Sequence, residues 1–270
     1  MNIIYDRNDW TVFIHEDINT LNDKQAKHVA ELIAKNLVVV FKEQILTPEQ
    51  EVAFCSKIGT VKTYGKKLED ISIGNHILRV TGQKNEKGEI GLFGHVSDLD
   101  WHCNQPSEPN RNPLIWLYSL TGSKGSITSW INMIRAYDDL PNYLKEEIKD
   151  IKIRCGWVNG KFGYNDKHFT NHVNTEIKHS IVQTNHGGKT GLFFPFLQTF
   201  GFVDRLDFKS LSEKLIKHIT QEQYIYHHYW DDGDVVISDQ WLSLHKRWRF
   251  EDMDKRILHR ISFDYTKVYS

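Results

Sequence analysis

The chain of 270 residues has little of what marks a membrane, secreted or nucleic-acid-binding protein. No apolar run approaches the roughly 20 residues that a membrane span requires, and the opening segment MNIIYDRNDW carries charges where a signal peptide would be apolar. The 34 Lys and Arg residues nearly balance the 35 Asp and Glu residues, so the chain lacks the basic excess of a nucleic-acid binder. We therefore expect a cytoplasmic protein that binds a small molecule, neither nucleic acid nor membrane, and that can form homo-oligomers.

Cysteine and low-complexity sequence are also scarce. The three cysteines, Cys55, Cys103 and Cys155, are odd in number and far apart, which argues against a disulfide framework or a thiolate zinc site. Because the sequence has no internal repeat and no Pro/Gly/Ser linker, we expect a single domain over residues 1–270. Histidine, by contrast, is abundant: the 14 copies are a generous supply of the commonest metal ligand.

The first 60 residues predict two helices and a buried strand that support the rest of the domain. Apolar residues recur at helical spacing after Asn22, which forms a capping-box pattern with Gln25. The run LVVVF (37–41) is typical of a buried strand. Residues 47–50 (TPEQ) then predict the start of a second helix, which we expect to end at Gly59.

From about residue 71 the sequence consists of short β-rich segments. Helical patterns interrupt them near 131–151 and 209–222. Many short strands with helical insertions and a helical N-terminal layer predict a mainly β, α+β fold: a barrel or jelly roll with flanking helices, whose β core spans residues 71–270. Such a fold can bury a small-molecule site in its mouth.

Only a few of the histidines have neighbours in the sequence that suggest a metal-binding role. The single His-x-Asp/Glu match joins His15 to Asp17, but chance alone yields such matches in a chain with 14 His and 35 acidic residues. We interpret Asp17 as the end of a turn. The adjacent pair His227 and His228 has no partner at ligand spacing and is interpreted as structural.

The segment 98–106 is more informative. In a strand, alternation places Asp100, His102 and Asn104 on one face, with Trp101 and Cys103 on the other. Far downstream, a turn and an apolar strand ending at Asp239 precede His245, and the last strand carries Arg256 and Arg260.

These residues, in this order, resemble the taurine dioxygenase (TauD/TfdA-like) family of Fe(II)- and 2-oxoglutarate-dependent oxygenases. Trp101-His102-Cys103-Asn104 is similar to the family's iron motif Trp-His-x-Asp, and His245 to its distal iron histidine. The resemblance covers nearly the whole chain, from the strand and capped helix at 38–59 to the last strand at 256–263. It implies a double-stranded β-helix, with His102, His245 and the residue at 104 at the metal.

The same resemblance assigns the remaining site residues. Arg256 resembles the arginine that grips a carboxylate of 2-oxoglutarate, and Thr128 in TSWINMIRAY (128–137) resembles the threonine that binds the same carboxylate. Arg260 resembles an arginine that holds an anionic substrate, and Tyr64 lies in a region from which the family draws substrate contacts. Trp101, Trp130 and Trp241 are close enough in sequence to these residues to wall the pocket.

Asn104 departs from the family pattern, because a carboxylate is expected there and an amide is a weaker, neutral donor to a hard cation. Asn104 could ligate iron or hydrogen-bond outside the ligand set, an exogenous anion could take the position as in related halogenases, or Asp100 could be recruited. The resemblance implies Fe(II), 2-oxoglutarate and O2 as cofactor and co-substrates, and hydroxylation of an unactivated C–H bond of a small anionic substrate. A halogenase-like enzyme and a degenerate ligand-binding protein on the same fold are the alternatives.

Overall fold

Seventeen strands and five helices make up the part of the chain that the structure, a computed structural model, describes. The described residues are 1–64, 72–84, 86, 88, 90–91, 93–106, 108, 111–156 and 177–269. The helices are α1 (Asp23–Asn36), α2 (Pro48–Ile58), α3 (Met133–Asp138), α4 (Asn142–Ile148) and α5 (Phe208–Ile219). The strands are β1 (Ile3–Tyr5), β2 (Thr11–Ile14), β3 (Val38–Phe41), β4 (Ser72–Ile73), β5 (Ile77–Thr81), β6 (Leu99–His102), β7 (Leu114–Thr121), β8 (Ile127–Asn132), β9 (Lys152–Cys155), β10 (Ile177–Ser180), β11 (Val182–Thr184), β12 (Thr190–Leu192), β13 (Thr199–Phe202), β14 (Ile225–Tyr229), β15 (Val235–Asp239), β16 (Ser243–Arg247) and β17 (Ile257–Phe263).

Both predicted N-terminal helices begin at the predicted caps. The Asn22 side chain accepts from the Gln25 backbone N–H at 3.0 Å, while the Gln25 side chain accepts from the Asn22 N–H at 3.0 Å. Thr47 and Gln50 form the same reciprocal pair at the start of α2. Each cap satisfies helix-end N–H groups that have no partner inside the helix.

Gly59 ends α2 as predicted, but it does not adopt the left-handed backbone conformation that often favours glycine at the end of a helix. Its backbone is extended, with φ of −168°. A Cβ at this position would lie 2.0 Å from the carbonyl oxygen of Asp264, so a larger residue would push the C-terminal segment away. The glycine therefore allows close packing of two chain segments.

A large and a small sheet face each other. The large sheet has the strand order β1-β2-β3-β15-β7-β17-β5-β4 and the small one β14-β8-β16-β6. All pairs in them are antiparallel except β2 with β3. The first three strands extend the large sheet through β15, so the N-terminal region belongs to the same sheet as the C-terminal strands.

Three apolar layers hold the sheets and helices together. One lies between the large sheet and helices α1 and α2, one between the two sheets, and one between the small sheet and helices α3 to α5. The helical pattern near 131–151 becomes two short helices, because the strand continues to Asn132 and Pro141 separates α3 from α4. Predicted strand residues at 71 and 157–158 lie outside the described residues.

The three cysteines are free and buried. Within the described ranges, no helix is both long and apolar enough to cross a membrane.

Candidate active site

A cavity of about 450 Å³ opens between the two sheets. Strands β5, β7 and β17 of the large sheet and β6, β8 and β16 of the small sheet supply most of its wall. Its lining combines five apolar side chains with two histidines, three arginines, a threonine and an asparagine: Val80, Phe93, Leu99, Leu117, Leu258, His102, His245, Arg247, Arg256, Arg260, Thr128 and Asn104. Six of the seven residues predicted for the site therefore meet in one cavity.

The two predicted metal histidines lie side by side on neighbouring strands. His245 on β16 is paired in register with His102 on β6, and their ring centroids are 4.1 Å apart. The Nδ1–H of His102 donates to the carbonyl oxygen of Asp100 at 2.6 Å. Because this bond places the hydrogen on Nδ1, Nε2 carries the lone pair that a metal ion would accept.

Both imidazoles are in the neutral form that binds metals. Burial lowers the pKa of His102 to about 4. Burial, with the neighbouring His102, lowers the pKa of His245 well below its usual value. Near neutral pH, neither ring holds a second proton that a metal would have to displace.

Asn104 lies two residues after the end of β6, and two glutamines fix the backbone of this segment. The N–H of Asn104 donates to Oε1 of Gln240 at 2.8 Å. The side chain of Gln198 bonds both backbone groups of the preceding residue: its Oε1 accepts from the Cys103 N–H at 3.0 Å and its Nε2 donates to the Cys103 carbonyl at 2.9 Å. Sequence reasoning missed both glutamines, because no local pattern links them to this segment.

The Asn104 side chain faces a cation. Arg260 Nη1 donates to Asn104 Oδ1 at 3.1 Å. Since a guanidinium has no acceptor, the amide oxygen must be the atom on the arginine side, and this fixes the direction of the amide. Its Nδ2 is buried and meets no acceptor among the described residues.

Asp100 does not share this face, which corrects the expectation from strict alternation. The register of β6 against β16 shifts: His102 pairs with His245, but Leu99 rather than Asp100 pairs with Arg247. This irregularity turns Leu99 and His102 toward the cavity and Asp100 away from it. The Asp100 carboxylate instead accepts from the Trp101 N–H at 2.8 Å and lies 3.3 Å from Lys246 Nζ.

The cavity therefore contains no protein carboxylate among its described lining residues. Consistent with this, the described part of the chain has no cluster of three or more His, Cys, Asp or Glu side chains suited to a metal. Among the described lining residues, the two histidines are the strong metal donors and the Asn104 amide is a weaker one.

Arg256 and Thr128 line the same cavity. Arg256 is 1% exposed, and its Nε and Nη1 find no acceptor within the described residues. Burial, together with the positive charge of Arg247, lowers the pKa of Arg256 to about 9. A buried guanidinium with unpaired N–H groups is a costly arrangement that a carboxylate ligand would relieve.

Arg247 is a third buried cation in the wall, and the prediction missed it. It follows His245 by two positions on β16, so simple alternation places it on the same face. Its Nη1 donates to the Phe93 carbonyl at 2.6 Å, and its Nη2 to the carbonyls of His95 and Ser97, each at 2.6 Å. Arg247 thus holds the loop that carries Phe93 against the cavity.

The other predicted residues lie outside the cavity lining. Tyr64 is buried, and its hydroxyl donates to Ser262 Oγ at 3.1 Å; its role in substrate binding stays a prediction. None of the three tryptophans is among the described residues that line the cavity. Trp101 packs on the outer side of the small sheet, Trp130 stacks on Tyr226, and Trp241 lies 4.0 Å below the Arg111 guanidinium.

The histidine patterns that were interpreted as structural, at 15–17 and 227–228, also lie outside the cavity lining. Asp17 caps a short turn by accepting from the Asn19 N–H at 2.9 Å, as predicted. His227 contacts Glu222, and His228 contacts Asp234, both away from the cavity.

Comparison with known proteins places this arrangement in a family. The model of the family described as "Taurine catabolism dioxygenase TauD, TfdA family" matches residues 11–262. The chain belongs to this TauD/TfdA family. The predicted family is therefore confirmed.

Relatives and solved structures agree with this assignment. The chain is 23% identical to the alpha-ketoglutarate-dependent 2,4-dichlorophenoxyacetate dioxygenase of Cupriavidus pinatubonensis (strain JMP 134 / LMG 1197) over 266 residues, covering 91% of each protein. Among solved structures, AAD-2 in complex with Mn(II) and N-oxalylglycine is similar with a TM-score of 0.77 at 20% identity, over 100% of this chain and 99% of that one. A taurine dioxygenase of Burkholderia xenovorans gives a TM-score of 0.77 at 19% identity, over 94% and 85% of the two chains.

Membership of the TauD/TfdA family fixes the fold and the enzyme class. The jelly-roll (double-stranded β-helix) prediction is confirmed, as is the class of 2-oxoglutarate-dependent non-haem iron dioxygenases with Fe(II), 2-oxoglutarate and O2. The cavity fits this set: two neutral imidazoles suit iron, and the unpaired Arg256 suits a carboxylate of 2-oxoglutarate. In this TauD/TfdA chain, the Asn104 amide lines the same cavity as the two histidines.

Proposed function

We propose that this chain hydroxylates an unactivated C–H bond of a small anionic substrate. The observation that carries the proposal is the buried Arg256, whose Nε and Nη1 lack acceptors in the same cavity as the paired histidines. Fe(II), 2-oxoglutarate and O2 supply the oxidising chemistry when bound. The residues of the chain hold these groups, orient the substrate and keep water out.

Arg256 and Thr128 would bind the carboxylate of 2-oxoglutarate that lies farther from the metal. A guanidinium can bond both oxygens of a carboxylate at once, and the hydroxyl of Thr128 adds a third donor. Both side chains are buried, so their bonds to an anion are little screened by water. The apolar walls from Leu117 and Leu258 would exclude solvent from the aliphatic part of the co-substrate.

His102 and His245 would ligate the metal ion through neutral imidazole nitrogens. Asn104 Oδ1 already accepts from Arg260 but retains a second lone pair, which would serve the metal weakly. Two imidazoles and an amide bring no negative charge to Fe(II), so the dianion 2-oxoglutarate would supply most of the charge compensation.

Arg260 would hold the anionic group of the substrate. Its guanidinium lies 5.4 Å from the centre of the Phe93 ring, so a cation and an aromatic surface stand together in the wall. This pairing suits a molecule with a carboxylate or sulfonate at one end and an apolar body at the other. The dioxygenase of Cupriavidus pinatubonensis named above acts on such a molecule, an aryloxyacetate.

An anaerobic titration tests the proposal. We expect Fe(II) with 2-oxoglutarate to give the weak visible charge-transfer band of the chelate, and Arg256→Met to require at least about tenfold more 2-oxoglutarate. Arg205→Met, which removes an arginine from the protein surface, is the matched control and should leave the titration unchanged. Absence of the band and of any metal-dependent thermal stabilisation at millimolar ligand would favour a metal-free ligand-binding protein.

A halogenase-like reaction is the second candidate, favoured by one observation. The buried Asn104 Nδ2 and Arg260 Nε are N–H donors without acceptors among the described residues, and they flank the position where a ligand carboxylate is expected. Such donors suit a monovalent anion such as chloride. If chloride binds there, adding it should shift the visible band of the chelate, whereas Asn104→Asp should remove that shift. A band that ignores chloride in the wild type would rule this candidate out.

A further inference from the structure

Trp230, which is absent from the cavity lining, contacts a residue that is part of it. Its indole Nε1–H donates to Thr128 Oγ1 at 2.9 Å, and the two side chains are 1% and 3% exposed. An indole N–H can only donate, so the hydroxyl oxygen of Thr128 must accept in this bond. The hydrogen of that hydroxyl is then left for a different acceptor.

The position of Thr128 limits where that acceptor can be. Thr128 lines the cavity together with Arg256, whose two unpaired N–H groups also need an acceptor. We propose that Trp230 is a positioning residue for 2-oxoglutarate: it occupies the acceptor side of Thr128, so that the hydroxyl donates toward the carboxylate bound by Arg256. This inference rests on the proposed role of Thr128 and Arg256 in binding the co-substrate.

The indole is itself held in place from two sides. The backbone N–H of Trp230 donates to the Ser126 carbonyl at 3.1 Å. The His228 ring packs edge-on against the indole, with centroids 4.6 Å apart and an angle of 84°. His228 in turn is fixed by hydrogen bonds to Tyr226 at 2.9 Å and to Asp234 at 3.0 Å. The donor direction of Trp230 is therefore set by a buried network.

The chain offers a matched control on the opposite face of the same strand. Trp248 Nε1 donates to Ser129 Oγ at 2.8 Å, a bond of the same kind on the residue next to Thr128. Ser129 does not line the cavity, and Trp248 is partly exposed. Trp248→Phe thus removes an indole-to-hydroxyl bond from β8 without touching the cavity side.

The test measures the Kd of 2-oxoglutarate by calorimetry on protein loaded with Zn(II), so that no turnover is needed. We expect Trp230→Phe to raise the Kd about tenfold, Thr128→Val to raise it by a similar factor, and Trp248→Phe to leave it within about twofold. The decisive readout is the double variant. Since Trp230 acts through Thr128, Trp230→Phe should add nothing in the Thr128→Val background.

Two results would overturn the inference: Trp230→Phe binding 2-oxoglutarate as the wild type does, or the two single effects multiplying in the double variant. If Trp230→Phe does not fold, replacing the indole by benzothiophene removes the N–H and retains the ring, and the same expectations apply. Failure of the wild type to bind 2-oxoglutarate at millimolar concentration would instead refute the proposed function and, with it, this inference. Binding by the wild type without the coupling refutes the inference alone.

Discussion

The cavity and two histidine networks elsewhere in the protein interior compensate buried charge in different ways. Outside the cavity, buried histidines have carboxylate partners: His259 Nδ1 lies 2.7 Å from Glu51 Oε1, and His228 Nε2 lies 3.0 Å from Asp234 Oδ2. Lys42 completes the second group at 2.7 Å from Asp234. In both groups, a carboxylate of the chain itself lies beside the buried imidazole.

In the cavity, two histidines and three arginines face each other, and no carboxylate is among the described lining residues. Arg247 donates to backbone carbonyls, which orient its guanidinium. The difference supports the proposal that negative charge enters the cavity with bound ligands. In the two histidine networks, by contrast, carboxylates of the chain supply the negative charge.

Removing one charged residue from each region should give the largest difference in the free energy of unfolding. Glu51→Leu leaves His259 and the Trp116 indole without their acceptor, so we expect it to lower the free energy of unfolding by about 3–5 kcal/mol. Arg256→Met removes a buried cation whose Nε and Nη1 have no acceptor among the described residues, and should leave the stability of the ligand-free protein unchanged or raise it. Urea denaturation of both variants measures this. Equal losses would show that Arg256 is a structural residue.

Asp239 is a buried carboxyl outside the cavity lining, and its effect on the stability of the protein depends on pH. Burial raises the pKa of this carboxyl to about 6, against 3.8 for its ordinary value. The folded chain therefore holds a proton that the unfolded chain has lost, and Asp239 lowers stability as the pH rises from 3.8 to 6. We expect Asp239→Asn to gain about 3 kcal/mol relative to the wild type between pH 4 and pH 7. Urea denaturation at both pH values checks this, and parallel curves would contradict it.

Adding a carboxylate to the cavity should have a smaller effect on the protein without ligands. In Asn104→Asp, the new carboxylate would accept from Arg260 in place of the amide oxygen, 3.1 Å away in the wild type. The wild-type bond already joins a charged group, and burying the carboxylate costs desolvation, so we expect the free energy of unfolding to rise by only about 1–2 kcal/mol at neutral pH. Thermal unfolding without metal measures the gain. Asn104→Leu, which adds no charge, is the control and should give no gain.

Asp100 should matter least. Its carboxylate is exposed and lies 3.3 Å from Lys246, on the side away from the cavity. We expect Asp100→Asn to change the free energy of unfolding by less than about 1 kcal/mol and to leave the Mn(II) affinity unchanged. A clear loss of Mn(II) binding in this variant would show that Asp100 serves as the missing metal ligand.

Local and regularly spaced features could be predicted from the sequence. The capping boxes at Asn22 and Thr47 involve residues three positions apart, so their pattern is complete within a short window. The site residues His102, His245, Arg256 and Arg260 were found through a family pattern of ordered spacing. Arg247 was within reach of the same reasoning, because it follows His245 by two positions on one strand.

The rest depends on contacts between distant segments. The register irregularity in β6, which turns Asp100 away, has no signal in the sequence around it. Gln240 meets Asn104 across 136 positions and Trp230 meets Thr128 across 102, so neither contact is visible before the sheets assemble. Both partners bond to residues that line the cavity.

The coupling between metal and 2-oxoglutarate tests the central claim most directly. The measurement is the Kd of Mn(II), followed by the electron paramagnetic resonance signal of free Mn(II), with and without 2-oxoglutarate, in the wild type and in Asn104→Asp. Because the wild-type cavity has no carboxylate among its described residues, we expect 2-oxoglutarate to tighten Mn(II) binding at least about tenfold more in the wild type than in Asn104→Asp. Equal tightening in the two proteins, or no Mn(II) binding by the wild type even with 2-oxoglutarate, would contradict the claim.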